Sequence, residues 1–144
     1  MADILQQLTI KAPRSRVFEM FATPQGLDRW WTKTASGTPK EGAEYTLFFG
    51  PEHDWRAKAT RCSPISEFEL LMTHAHPDWV GTRVGCQLQA QSPFVTCVRF
   101  YHTGWPEPNE HWRISCHCWA MYLRVLRRFL EHSERVPYEK RLEV

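Results

Sequence analysis

The sequence has little that would suit a membrane or a nucleic acid. Its apolar runs all stop far short of the ~20 residues that a bilayer-spanning helix needs. Lys and Arg total 18 against 16 acidic residues, and a net charge of +2 is too small to favour a phosphate backbone as partner. The first residues show neither the basic start nor the apolar core of a signal peptide. We therefore expect a cytoplasmic protein that neither binds nucleic acid nor inserts into a membrane.

Several catalytic and cofactor motifs are missing as well. The sequence contains no phosphate-binding loop, no dinucleotide fingerprint and no serine–histidine–aspartate order. Its five cysteines show no CxxC spacing, which favours reduced thiols over a disulfide framework. We expect no cofactor.

Two short clusters have the residue types of a metal site, but neither is expected to hold a metal. Cys116 and Cys118 would point about 200° apart on a helix and could not share one ion. His74 and His76 lie two residues apart on a predicted strand and share a face, where His102 could add a third zinc ligand. Histidines at the end of a strand are more often solvated, so we expect no metal there either.

Tryptophan is the residue type in marked excess, with seven in 144 residues. Each ring is bulky, is rarely buried completely and carries an N–H group that needs a partner. Two interpretations stay open: a strongly aromatic core with a few half-exposed rings, or a cavity lined by aromatic rings. Trp30 and Trp31 fit both, because neighbouring helical residues point about 100° apart. One ring would face the core and the other a cavity mouth.

Hydrophobic periodicity predicts one strand, two short helices, a run of strands and one long helix. Residues 4–12 form the first strand, and Pro13 and the Thr23–Pro24 pair each suit the start of a short helix. Residues 34–43 are predicted to be a loop. Strict alternation of apolar and polar residues predicts strands with one dry face. These strands cover 44–49, 54–62, 67–74, 82–91 and 94–103, and the long helix covers about 107–133.

The long helix has a sheet-facing apolar stripe that includes Trp112, Trp119, Leu123 and Leu126. Nothing else in the chain can cover the dry face of the sheet, so this helix must lie across it. The predicted fold class is therefore α+β. A curved antiparallel sheet wraps around a long C-terminal helix, two short helices follow the first strand, and residues 1–144 form a single domain.

Landmark residues recur in a fixed order from about residue 8 to residue 132. They are Ile10–Pro13, Val17–Phe18, Gly26–Leu27, Trp30–Trp31, Gly42, His102–Trp105, Trp119, Leu126 and Phe129–Glu131. Their order resembles the helix-grip superfamily of the birch-pollen allergen and the START-related lipid-transfer proteins. Within it, the chain resembles the bacterial proteins related to the activator of the heat-shock-protein-90 ATPase, which are grouped with polyketide cyclases. The chain departs from that pattern at Cys118, where a glycine is common, and at Ser92–Pro93, where Gly-Thr is common.

The resemblance implies that an apolar or aromatic small molecule binds between sheet and helix. Some members are cyclases or aromatases, and one fold carries many functions. Three functions therefore stay open: binding of a small hydrophobic ligand, a cyclase/aromatase- or hydrolase-like activity on such a ligand, and a chaperone-accessory module that binds a protein.

Inward positions of the predicted elements supply the candidate site. Small residues in the middle of sheet and helix (Ala57, Ala59, Cys86, Ser115, Cys116) should leave a cavity of a few hundred Å³. Any acid–base catalyst must be an inward titratable group, and the candidates are His74, His102 and Tyr122. Burial in an apolar pocket should lower the pKa of either histidine. The predicted ligand-binding residues are Trp30, Trp31, Trp55, Met72, His74, Cys86, Phe100, His102, Cys116, Trp119 and Tyr122.

A second apolar stripe on the long helix predicts a homodimer. Ile114, Cys118, Met121 and Val125 recur at helical spacing on the side away from the sheet. The C-terminal tail is short, charged and interrupted by Pro137, so we expect it to cover this stripe poorly. Two-fold pairing of the same helix in a second copy is the commonest alternative cover.

Overall fold

The computed structural model describes all 144 residues. Seven antiparallel strands form one sheet in the order β1-β7-β6-β5-β4-β3-β2. The strands are β1 (Ala2–Ile10), β2 (Thr34–Ser36), β3 (Glu44–Phe48), β4 (Asp54–Ser63), β5 (Glu67–His74), β6 (Arg83–Ser92) and β7 (Val95–Trp105). The helices are α1 (Arg14–Ala22), α2 (Pro24–Trp30), α3 (Glu110–His132) and a C-terminal 3₁₀ helix (Tyr138–Glu143).

The predicted α+β arrangement is confirmed, with one strand added. The segment 34–43 was predicted to be a loop throughout, but residues 34–36 pair with β3 as the short edge strand β2. Three residues are too few to show an alternating pattern, which is why periodicity misses this strand. Predicted and observed starts of the short helices agree within a residue or two.

Local hydrogen bonds account for the helix ends. The Thr23 hydroxyl accepts from the Gly26 N–H, as expected of a cap in front of Pro24. The Asn109 side chain accepts from the Trp112 N–H at the start of α3. Ser133 adopts a left-handed conformation with φ of 55°, and its N–H binds the last carbonyls of that helix.

Helix α3 covers the concave face of the sheet. Its buried residues include Ser115, Trp119, Leu123, Leu126 and Leu130, the stripe that the helical period predicts. The apolar residues among them belong to one core shared with the strands and with α1 and α2. No helix combines the length and the apolar character needed to cross a bilayer.

The C-terminal tail folds back against α3. Arg141 anchors it: the buried guanidinium donates to the carbonyl oxygens of Thr32 at 3.1 Å and Asp28 at 2.6 Å. Val125 is fully buried, which excludes it from the predicted dimer interface. Of the predicted stripe, Ile114 is exposed and Cys118 and Met121 are half-buried. The sequence does not predict this contact, because it joins residues more than 100 positions apart.

Candidate functional site

The middle of the sheet–helix interface is filled with aromatic side chains. The Trp119 ring lies 4.6 Å from the Phe100 ring and 5.0 Å from the Trp31 ring, measured between centroids. Ala57, Ala59 and Cys86 are fully buried. The void beside Trp30 measures about 10 Å³, roughly the space of one water molecule. The predicted central cavity of a few hundred Å³ is therefore wrong, because tryptophan rings occupy the space that the small residues leave.

A cleft of about 300 Å³ opens instead at one end of this interface. It lies between the β3–β4 turn, the β5–β6 loop, the first half of α3 and the C-terminal 3₁₀ helix. Six of its lining residues are aromatic: Trp31, Phe49, Trp55, Trp79, Tyr122 and Tyr138. The other six are His53, His76, His111, Ile114, Ser115 and Cys118.

Trp79 holds the aromatic floor of the cleft together. Its ring lies 4.9 Å from Trp55, 6.5 Å from Trp31 and 5.9 Å from Trp119. Its indole N–H is buried and has no hydrogen-bond partner. Sequence reasoning missed Trp79 because it follows His76–Pro77–Asp78 in a connection between two strands, where no periodic pattern applies. The available signal was a large aromatic residue in a short connection between two predicted strands.

His102 lies beneath this floor, not in the cleft. It is fully buried, and its ring is 4.4 Å from that of Trp79. The Trp119 indole donates to Nδ1 at 3.0 Å. Nε2 lies 2.8 Å from the Thr82 hydroxyl, whose own proton goes to the Trp79 carbonyl, so Nε2 must be the donor. Both ring nitrogens are thus engaged in one fixed tautomer.

Burial lowers the pKa of His102 to about 3, with a smaller contribution from His111. The direction agrees with the sequence-based expectation for a histidine in apolar surroundings. A neutral ring with both nitrogens engaged and no contact with solvent stabilises the fold and offers no free lone pair for proton transfer.

His74 is exposed, so the prediction that it faces inward is wrong. Strand β5 pairs with β6 only as far as Leu71, and the β4–β5 register shifts between Arg56 and Ala57. His74 therefore lies at the open end of the sheet, beyond the cover of α3.

The third catalytic candidate, Tyr122, does line the cleft. Burial raises the pKa of its phenol to about 12, helped by Tyr138 and Cys118. At neutral pH the hydroxyl is protonated, and it can donate or accept a hydrogen bond but cannot act as a general base.

The predicted ligand-binding residues separate into two groups. Trp31, Trp55 and Tyr122 line the cleft. Trp30, Met72, Cys86, Phe100, His102 and Trp119 are buried core residues. Cys116 is half-buried, and its carbonyl accepts from the Gln6 side chain on β1, away from the cleft. Trp30 and Trp31 are both almost completely buried in the core, and of the two only Trp31 also lines the cleft.

A polar cluster marks the rim of the cleft. The Asp78 carboxylate accepts from Nδ1 of His111 at 2.9 Å and from the Asn109 amide at 3.3 Å. The Asp78 N–H donates to Nδ1 of His76 at 3.0 Å. The rings of His76 and His111 lie edge to face at 4.4 Å. The hydrogen bond from His111 lowers the pKa of Asp78, which keeps the carboxylate ionised.

This cluster differs from the zinc site of His74, His76 and His102 that was weighed from the sequence. His76 does not meet His74 and His102 but meets Asp78 and His111, and one ligand atom from each lies within 4.8 Å of the others. His111 comes from the first turn of α3, more than 30 residues away in sequence. No spacing in the sequence reveals that contact.

A second polar cluster lies on the opposite, outer face of the sheet. The Glu69 carboxylate accepts from Tyr101 at 2.6 Å, Thr60 at 2.7 Å and Arg83 at 3.0 Å. Burial would raise the pKa of Glu69, but these hydrogen bonds outweigh it and lower the pKa. Alternation along β5 puts Glu69 on the outer face of the sheet, where these partners bury it.

Comparison with known proteins supports the fold that the landmarks predict. A family model described as "Activator of Hsp90 ATPase homolog 1-like protein" matches residues 11–131. The solved Aha1 dimer from Colwellia psychrerythraea is 27% identical, with a TM-score of 0.83, covering 93% of this chain and 99% of that one. No curated protein matches the sequence.

Two further solved structures show the same fold at lower identity. SSP2350 from Staphylococcus saprophyticus is 18% identical with a TM-score of 0.77, covering 94% of this chain and 96% of that one. CalU16 from Micromonospora echinospora is 17% identical with a TM-score of 0.73, covering 98% and 81%. These structures confirm the predicted fold, and the family model confirms the predicted family resemblance.

Proposed function

We propose that this protein binds a small aromatic or hydrophobic molecule in the cleft at the end of the sheet–helix interface. The chain belongs to the family of Activator of Hsp90 ATPase homolog 1-like proteins. The observation that carries this proposal is the set of six aromatic rings around a space of about 300 Å³. That volume lies at the lower end of the roughly 300–1,000 Å³ that small-molecule sites span.

The chemistry of the lining favours a flat, mostly apolar ligand. The rings of Trp31, Phe49 and Trp55 form a continuous wall, with neighbouring centroids 5.5 and 5.2 Å apart. Aromatic rings at such distances pack well against another ring, either offset or edge to face. The Tyr122 hydroxyl and the imidazoles at the rim offer hydrogen bonds to one polar group on the ligand.

The test is a titration of the purified protein with 2-naphthol, followed by calorimetry. We expect 1:1 binding, and we expect Trp55→Ala to weaken it at least tenfold. Phe94→Ala is the matched control, since Phe94 is an exposed ring on the β6–β7 turn, 72% accessible and outside the cleft. Equal affinity of the two variants for 2-naphthol would contradict the proposal. Native mass spectrometry of the untreated protein then identifies any molecule that co-purifies with it.

The other two functions that the sequence leaves open predict different results. A cyclase/aromatase- or hydrolase-like enzyme would turn over the bound molecule, but neither His74 nor His102 is placed to catalyse that reaction. A chaperone-accessory module would bind its partner protein equally well with the Trp55→Ala substitution. We also propose that the protein works in the cytoplasm, and its five unpaired cysteines support a reducing compartment.

A second copy of this chain remains a proposed partner. The dimeric Aha1 from Colwellia psychrerythraea supports it. Ile114 is 53% exposed, and Met121 lies on the same side of α3. Met121→Glu should convert a dimer into a folded monomer by light scattering, whereas Val125→Lys would damage the core. A wild-type protein that is monomeric at high micromolar concentration would contradict the proposal.

A further inference from the structure

We infer that His76, Asp78 and His111 form a binding site for a divalent zinc ion at the rim of the aromatic cleft. The site combines two imidazoles and one carboxylate, a ligand set that zinc accepts in sites with an open fourth position. The inference goes beyond the proposed ligand binding and does not depend on it.

The distances between the ligand atoms suit a tetrahedral ion. Oδ2 of Asp78 lies 2.9 Å from Nδ1 of His111 and 3.7 Å from Nδ1 of His76. Zinc bonds of roughly 2.0–2.1 Å at tetrahedral angles place ligand atoms about 3.3 Å apart. The two observed distances lie on either side of that value. Small movements of side chains that are already neighbours would complete the site.

The charge around the site favours a cation. The Asp78 carboxylate pairs with no lysine or arginine, and its ion-pair partners are the two histidines alone. No permanently charged cation therefore compensates this carboxylate. The N-terminus of α3 opposes a cation weakly, but the carboxylate is in direct contact with the ion and outweighs it.

The scaffold holds the three ligands in place from two separate segments. His76 and Asp78 belong to the β5–β6 loop, whereas His111 belongs to the first turn of α3. Asn109, the cap of that helix, also donates to Asp78 and ties the segments together. Such an outer partner orients the ligating carboxylate.

Zinc binding exchanges hydrogen bonds for metal bonds. The proton on Nδ1 of His111 leaves to solvent while Nε2 takes one up, so the ring stays neutral and Nδ1 becomes a ligand. Nδ1 of His76 loses its hydrogen bond from the Asp78 N–H, and this exposed N–H can then donate to water. The side chains of His76, Asp78 and His111 are 49%, 24% and 33% exposed, so an ion can enter from solvent. Water or a polar group of a ligand in the cleft then fills the fourth position.

The test is calorimetry with Zn²⁺ alone on chelator-treated full-length protein. We expect one ion per chain, with affinity at least tenfold weaker in His76→Ala and in Asp78→Asn. Asp78→Asn retains an acceptor for His111 and so separates the loss of charge from a loss of folding, which circular dichroism monitors. His74→Ala is the matched control, because His74 is an exposed histidine two residues upstream and outside the cluster.

Co²⁺ serves as a spectroscopic probe of the ligand types. We expect a visible absorption band in the wild type that His76→Ala removes and Cys118→Ser leaves unchanged. The inference fails if neither ion saturates, if binding survives His76→Ala and Asp78→Asn, or if Cys118→Ser abolishes it. None of these results bears on 2-naphthol binding, which is measured without metal.

Discussion

The middle and the end of the sheet–helix interface use the same residue type for opposite purposes. In the middle, the Trp119 ring is enclosed by Phe100, Trp31 and Trp30, and its N–H binds His102. At the end, Trp55 and Phe49 form a wall whose other side faces a cleft of about 300 Å³. The difference arises from what covers the rings. α3 closes the middle, whereas loops and the C-terminal tail surround the end and leave it open.

The largest effect on stability is expected from a substitution in the middle of the sheet–helix interface. Trp119→Ala should lower the free energy of unfolding by about 3–5 kcal/mol, because it removes a buried ring and leaves the Nδ1 of His102 without its donor. Urea denaturation measures the change. Phe94→Ala, an exposed aromatic substitution, should change it by less than about 0.5 kcal/mol. Similar losses in the two variants would mean that the middle is not the tightly packed region.

The pH dependence of stability should also report on the middle. His102 has a pKa lowered to about 3 by burial, against 6.5 for the free side chain. The unfolded chain therefore takes up the proton first, and the stability present above pH 6.5 is lost progressively as the pH falls toward 3. Glu69, whose pKa is lowered by its hydrogen bonds, adds a further loss of stability as the pH falls below its ordinary pKa of 4.5.

Urea denaturation at pH 7 and pH 5 isolates the histidine, because Glu69 stays ionised in both states across most of that interval. The decrease should be smaller in His102→Gln than in the wild type and unchanged in Glu69→Gln. A wild type equally stable at both pH values would contradict the buried, neutral state of His102.

An intermediate effect is expected from Arg141, which anchors the C-terminal tail. Arg141→Ala should lower the free energy of unfolding by about 2 kcal/mol, because the carbonyls of Asp28 in α2 and Thr32 after it lose a charged donor. It should also weaken 2-naphthol binding, since Tyr138 on the same 3₁₀ helix lines the cleft. Lys140→Ala, at the exposed neighbouring position, is the control and should change neither. Unchanged binding in Arg141→Ala would mean that the tail is not a wall of the site.

The smallest effect on stability should come from the end itself. Trp55 is half-buried and faces open space, so Trp55→Ala should lower the free energy of unfolding by about 1 kcal/mol or less. Urea denaturation measures this, alongside the loss of 2-naphthol affinity expected above. A loss of stability as large as that of Trp119→Ala would show that Trp55 belongs to the core and not to a binding wall.

The same division explains what the sequence could predict. Periodicity of 2 and 3.6 residues locates α3 and every strand except β2, and Thr23 before Pro24 locates the start of α2, because these are local patterns. The cleft is built from non-local contacts. Trp79 comes from a loop, His111 meets Asp78 across more than 30 residues, and Arg141 meets Asp28 across more than 100.

Inward-facing positions were therefore mistaken for cavity positions. Alternation shows that Phe100 and Cys86 face the helix, and both are buried there. It does not show whether the rings facing them leave space. Side-chain volume, summed over elements far apart in the chain, decides that, and seven tryptophans supply enough of it to fill the middle.

The most direct test is a nitrogen–proton correlation spectrum of the seven indole N–H groups during titration with 2-naphthol. A ligand in the cleft should shift the signals of Trp55, Trp79 and Trp31 and leave that of Trp30 in place, because the Trp30 N–H is buried and donates to the Met20 carbonyl. Shifts concentrated on Trp30 and Trp119, with Trp55 unmoved, would place the ligand between sheet and helix and contradict the account.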